Sequence, residues 1–157
     1  MTEPGARIIN VLLVEDDPSD ILITREVFEE HSYNRLDVVT DGAAALAYLR
    51  HEQPYTDSRA PDLILLDLNL PRRDGREVLA EVKDDPALAH IPIIVLTTSS
   101  AEEDVLRSYQ LHANAYITKP MDFDSFTAAI KQIDHFFFNV AQLPAGGATP
   151  PQYDQLC

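Results

Sequence analysis

The sequence predicts an α/β protein: a doubly wound, five-stranded parallel sheet flanked by five helices. Three observations carry that expectation. Five short apolar runs recur along the 157 residues; each is followed by an amphipathic or Ala-rich segment; and the runs end in residues able to do chemistry. Apolar runs alternating with helical segments are what a parallel sheet covered on both faces requires.

The first unit is Ile8 to Val14, an apolar run broken only by Asn10 and followed by acidic residues, Pro18 and two cap-type residues, Ser19 and Asp20. It reads as a buried strand running into a helix. Leu36 to Val39 is a second, shorter strand, after which Asp41-Gly42 opens an Ala-rich helix carrying Leu46 and Leu49. Beyond a polar loop from His51 to Ala60, Leu63-Ile64-Leu65-Leu66 is the most hydrophobic run and is placed at the centre of the sheet. It ends at Asp67, and Val78, Leu79 and Val82 mark the next helical face.

In the fourth unit Ile93-Ile94-Val95-Leu96 ends at Thr97-Thr98, and Ser100-x-x-Glu103 has capping-box spacing ahead of Val105, Leu106 and Tyr109. The fifth is Ala115-Tyr116-Ile117, leading to Lys119-Pro120. There Asp122 can cap a helix whose Phe126, Ile130, Ile133 and Phe137 recur at helical spacing. Right-handed crossovers turn five such units into an open sheet of the flavodoxin-like order 2-1-3-4-5. The Pro- and Gly-rich stretch from residue 144 onward is expected to be flexible.

Composition narrows the function. A net charge of −14 argues against nucleic-acid binding, which draws its affinity from Lys and Arg displacing counterions from phosphates. No run approaches the roughly 20 apolar residues that span a bilayer, and the first residues do not read as a secretion signal, so a cytoplasmic location is expected. A single cysteine, Cys157, leaves no intramolecular disulfide to form.

In such a sheet ligands bind beyond the carboxyl ends of the strands, where the strand order reverses. Asp16 and Asp17 follow strand one, Asp67 ends strand three, Thr97 ends strand four and Lys119 follows strand five. Each has an ordinary reading alone: helix cap, loop entry, strand end, surface cation. Together they form a crowded acidic rim. Two carboxylates about 4 Å apart repel by roughly 4 kcal/mol at an effective dielectric near 20, so something positive must offset them. Hard carboxylate oxygens favour Mg²⁺, and a carboxylate beside it can attack a phosphoryl group to form an aspartyl phosphate. Asp67 is the candidate nucleophile, Asp16, Asp17 and Asp67 the candidate metal ligands, Lys119 the phosphoryl partner. Thr97 offers a hydroxyl that can follow the phosphoryl group.

These residues resemble the receiver domains of bacterial response regulators over about residues 7 to 140. Val11-Leu12-Leu13-Val14-Glu15-Asp16-Asp17 resembles the first acidic motif, Leu65-Leu66-Asp67-Leu68-Asn69-Leu70-Pro71 through Asp74-Gly75 the phosphoacceptor motif, and Thr118-Lys119-Pro120 the lysine motif. The resemblance implies that Asp67 accepts a phosphoryl group from a sensor histidine kinase, catalysing only its own phosphorylation and dephosphorylation. It implies that Asp17 binds Mg²⁺ directly, Asp16 through water, and Asn69 through its backbone carbonyl. It also implies a cis Lys119-Pro120 bond and a switch pairing Thr97 with Tyr116, which otherwise reads as a half-buried strand tyrosine. Thr98 and Ser99 depart from the commonest pattern beside the phosphoryl site and bear on the dephosphorylation rate.

With no output domain expected after residue 140 and residues 141 to 157 read as an extension, the output is contact with another protein. Phe136, Phe137 and Phe138 are consecutive, so one helix face cannot bury them all, and Phe123 and Val140 add apolar surface. This suggests a homodimer through the last helix and the strand-five face; alternatively Leu143 folds back over Phe138 as a local cap. The extension and His112-Ala113-Asn114-Ala115-Tyr116 resemble regulators that partner phytochrome-type kinases. Two other readings stay open: a haloacid dehalogenase-type phosphohydrolase, whose nucleophile Asp-x-Asp lies on the first strand, and a scaffold that binds partners without phosphorylation.

Overall fold

The computed structural model describes residues 8–30, 34–98, 105, 107 and 109–137. Ser99, Ser100 to Glu103, Leu106, Phe138, Val140, Leu143 and the C-terminal extension, for which the sequence carries expectations, lie outside these residues. In chain order the elements are β1 (Ile9–Val14), α1 (Pro18–Glu29), β2 (Asn34–Val39), α2 (Gly42–Leu49), β3 (Leu63–Leu66), α3 (Gly75–Asp84), β4 (Ile93–Thr97), β5 (Ala115–Thr118) and α4 (Phe123–His135). The five strands are parallel and ordered β2-β1-β3-β4-β5, as the sequence predicts. Between β4 and β5 the residues Val105, Arg107, Tyr109 and Gln110 are helical, which is the described part of the remaining helix expected there. None of the described helices is long and apolar enough to cross a membrane.

Residues that alternate along each strand feed two separate cores. Val11 and Leu13, Leu63 and Leu65, Ile94 and Leu96 face α1 and α4, packing on Ile23, Val27, Phe28, Phe126, Ile130 and Ile133. Leu12 and Val14, Ile64 and Leu66, Ile93 and Val95 face α2 and α3, packing on Leu46, Leu49, Val78, Leu79 and Val82. Burial on both faces is why these strands read as continuous apolar runs rather than alternating ones. All four side chains of β3 are fully buried, consistent with its central place.

The edge strand β2 begins two residues before the expected Leu36. Its polar entry, Asn34-Arg35, pairs with Ile9-Asn10 of β1, and Arg35 and Asp37 are exposed. An edge strand carries polar residues outward, so its start is hard to tell from a loop.

Helix starts are set by side chains. Asp17 accepts hydrogen bonds from the N–H groups of Ser19 (2.8 Å) and Asp20 (3.2 Å), with Pro18 opening α1. Asp41 caps α2 through Ala44 N–H (2.7 Å), and Asp122 caps α4 through Ser125 N–H (2.8 Å). Side-chain oxygens thus satisfy N–H groups that the helix itself leaves open.

Gly75 begins α3 directly beneath the phosphoacceptor motif. A Cβ there would lie 2.3 Å from the Asp67 carbonyl oxygen and 2.6 Å from Leu68 Cα, and its own N–H donates to the Leu68 carbonyl (3.0 Å). Because both obstacles are backbone, Gly75→Ala has to move the end of β3. It is expected to cost about 1–3 kcal/mol, read as a lower urea midpoint with an unchanged slope.

Candidate functional site: an acidic rim with one buried lysine

The rim forms where β1 and β3, adjacent in the sheet, leave it on opposite crossovers. Backbone hydrogen bonds fix its two central residues: Glu15 N–H donates to the Val39 carbonyl and Asp67 N–H to the Val14 carbonyl, both at 3.0 Å. Each extends the ladder one residue past its strand. Glu15, Asp67, Thr97 and Lys119 are all buried.

Lys119 Nζ meets three carboxylates. It donates to Glu15 Oε1, to Asp20 Oδ2 at 2.8 Å and to Asp67 Oδ2 at 3.3 Å. Burial works to lower the Lys119 pKa, but the hydrogen bonds to Asp20 and Glu15 and the charges of Glu15 and Asp67 outweigh it, leaving it above the usual lysine range. Glu15 feels the reverse balance. Burial pushes its carboxyl up to about 8; Lys119 opposes the rise, and the neighbouring charge of Asp67 adds to it.

Three carboxylates from Glu15, Asp16 and Asp67 bring oxygens within 4.8 Å of one another. Such a set of hard oxygen donors fits a divalent cation of the Mg²⁺ or Mn²⁺ kind. The structure brings Glu15 and Asp16 to Asp67, one residue earlier than the expected Asp16 and Asp17. Asp17 is placed differently. It lies outside this cluster, and its carboxylate is engaged by the two N–H groups at the start of α1. Glu15 Oε2 in turn accepts the N–H groups of Asp16 (3.1 Å) and Asp17 (3.2 Å), which holds the turn in shape.

Asn69 and Thr97 complete the rim. Asn69 N–H donates to Asp67 Oδ1 (3.1 Å), its side-chain amide donates to the Thr97 hydroxyl oxygen (3.3 Å), and Lys119 N–H donates to the Thr97 carbonyl (2.7 Å). The ends of β3, β4 and β5 are thereby tied together around Asp67. Tyr116 is half-buried against the α2–α3 core, and its N–H donates to the Tyr109 hydroxyl oxygen at 3.3 Å.

Two residues of the rim have no role in the sequence reading. From sequence Glu15 reads only as part of a motif, and Asp20 only as a cap-type residue. The signal for Glu15 was Pro18: proline suits the first helical position, which makes Asp17 the cap and turns it away from the site. The expected cis Lys119-Pro120 bond is also corrected. Among the described residues the cis peptide is Gln53-Pro54. The trans form is the intrinsically preferred one, and Lys119 reaches its three carboxylates with it.

The chain is similar in sequence and fold to known proteins. Residues 11–131 match the family described as Response regulator receiver domain. Response regulator Rcp1 of Synechocystis sp. is 45% identical over 136 residues, covering 86% of this chain and 92% of that protein. The crystal structure of the Mn(2+)-bound form of response regulator Rcp1 superposes with a TM-score of 0.85 at 44% identity, covering 87% of this chain and 99% of that one. The phosphorylated cyanobacterial phytochrome response regulator RcpA does so with a TM-score of 0.85 at 46% identity and the same coverage.

Proposed function

The chain belongs to the response regulator receiver family, and on that premise we propose that Asp67 is its phosphoacceptor, charged by a sensor histidine kinase of the phytochrome type. The single observation that carries this is the meeting of Asp67 with the buried Lys119 ammonium inside a cluster of carboxylates. Homology to phytochrome response regulators supports the choice of partner. It also sets the phosphohydrolase reading aside, since the acceptor here ends the third strand rather than the first.

In the transfer an Asp67 carboxylate oxygen forms a bond to phosphorus while the bond to the donor breaks, the donor imidazole leaving with the electron pair. Glu15, Asp16 and Asp67, with the Asn69 backbone carbonyl by resemblance, would hold Mg²⁺. When bound, that ion supplies positive charge against the transferring oxygens. Lys119 supplies a second positive charge, fixed by burial. Thr97, whose hydroxyl already accepts from Asn69, is drawn to a phosphoryl oxygen, and Tyr116 follows it inward as the switch. The receiver unit runs over about residues 7 to 140 and works in the cytoplasm. The chain acts as a switch whose chemistry is confined to its own aspartate.

Incubation with acetyl phosphate and Mg²⁺ tests the reading: intact mass is expected to rise by one phosphoryl group, and no rise overturns it. Proton linkage gives a second check. Glu15 becomes a charged ligand only on losing its proton, so apparent Mg²⁺ affinity is expected to climb as pH rises toward about 8 and to level off above it. Calorimetric titration in two buffers of different ionisation enthalpy should show proton release on binding at pH 7, and none well above 8. For stability the sign is opposite. The folded state holds the Glu15 proton that the unfolded chain sheds at its ordinary 4.5, so this contribution is lost as pH rises from there through about 8.

We also propose a homodimer through α4 and β5. Among the described residues β5 pairs with β4 alone, and beside it an apolar groove of about 570 Å³ is lined by Ile94, Ala115, Ile117, Ile133, Phe136 and Phe137. Phe136 is half exposed, packed edge-on against Phe137 at 5.0 Å between ring centroids. Sedimentation is expected to show a dimer at high micromolar concentration, with Phe136→Asp shifting it to monomer; a monomer throughout overturns this interface.

A further inference from the structure

An ammonium has three N–H groups to give, and those of Lys119 face three carboxylates. Two of the three, Glu15 and Asp67, belong to the cluster that suits a cation. Asp20 does not, yet its oxygen lies closer to Lys119 Nζ, at 2.8 Å, than that of Asp67, at 3.3 Å. Its backbone is fixed on both sides: Asp20 N–H donates to Asp17 Oδ1 (3.2 Å) and the Asp20 carbonyl accepts from the Thr24 hydroxyl (2.8 Å). The side chain is only 22% exposed, so solvent screens the pair weakly.

We propose that Asp20 is a positioning residue that holds the Lys119 ammonium back from Asp67 and thereby loosens the hold of the site on a phosphoryl group. The inference rests on Asp67 as phosphoacceptor and adds a residue that reading does not use. A phosphoryl group on Asp67 brings close to two negative charges and three strong acceptor oxygens. To turn toward them, Lys119 has to release a contact it already makes. Releasing Asp20 leaves a mostly buried carboxylate without its cation, which is costly. Asp20 therefore favours the unphosphorylated arrangement. Replacing it by a neutral side chain of the same shape removes that cost.

The test uses the full chain with Asp20→Asn and Asp20→Glu, titrated with beryllofluoride as the phosphoryl probe at saturating Mg²⁺, with Mg²⁺ affinity measured separately. The Asn variant is expected to bind beryllofluoride roughly three- to tenfold tighter, the scale of one partly buried charge pair, and to lose its phosphoryl group more slowly once acetyl phosphate is removed. The Glu variant, which keeps the carboxylate, is expected to stay near wild type. Asp20→Ser provides a second neutral variant should the Asn protein melt early. Unchanged or weaker beryllofluoride binding in both neutral variants overturns the role of Asp20 alone. Wild-type protein that takes up no phosphoryl group overturns the phosphoacceptor reading beneath it.

Discussion

Asp67→Asn is expected to abolish phosphorylation by acetyl phosphate altogether, with no mass increment under conditions that fully modify the wild type. The amide keeps the size of the side chain and can still receive the Asn69 N–H, so the loop after β3 stays in place. What it lacks is an anionic oxygen to bond to phosphorus. Asp16 is exposed and Glu15 is pushed toward its neutral form by burial, so neither is placed to replace it as a nucleophile. A mass increment that persists in the variant would move the acceptor elsewhere and overturn the assignment. The same change removes one negative charge from the rim, so the metal-free variant is expected to melt no lower than the wild type while its Mg²⁺ affinity falls.

Lys119→Met is expected to have the largest effect on stability. The ammonium is 5% exposed, and its partners Glu15, Asp67 and Asp20 are 3%, 8% and 22% exposed, so little water can take its place. Removing one partner of a buried ion pair typically costs 3–5 kcal/mol. Glu15 softens the loss because it is ready to take up a proton. A cost of about 2–3 kcal/mol follows, or roughly 4–12 °C in melting temperature for a chain of this size. Mg²⁺ is expected to restore much of it. A variant that melts like wild type in the absence of Mg²⁺, at pH 8, would show that the lysine contributes no net stability.

Much of this was legible in the sequence for one reason: strands buried on both faces have no choice but to be apolar throughout. Leu63 to Leu66 and Ile93 to Leu96 stand out on that ground, and the residues that end them, Asp67 and Thr97, were placed correctly beside Lys119. The last helix was legible from Phe126, Ile130 and Ile133, which the structure buries together. Register at the end of β1 was harder. Glu15, Asp16 and Asp17 are three acids in a row, and charge alone cannot say which pair faces the rim. The physical cue was the proline after them, which makes Asp17 a helix cap. Asp20 was hidden because an acid in the first turn of a helix has an adequate local explanation in the helix dipole. Its reach to Lys119, 99 positions away, is tertiary. The cis bond at Pro120 came from family resemblance alone, and no residue of this chain argued for it.

The cation of the rim comes from late in the chain. Lys119 lies 104 positions after Glu15 and 52 after Asp67. Synthesis from the N-terminus therefore delivers Glu15, Asp20 and Asp67 well before the lysine that neutralises them is available. Until β5 docks, the half-built sheet carries unbalanced charge at its open end, which disfavours premature closure. Completion of the last strand and acquisition of a competent site are thus one event, and a fragment cut anywhere before residue 119 is expected to lack both.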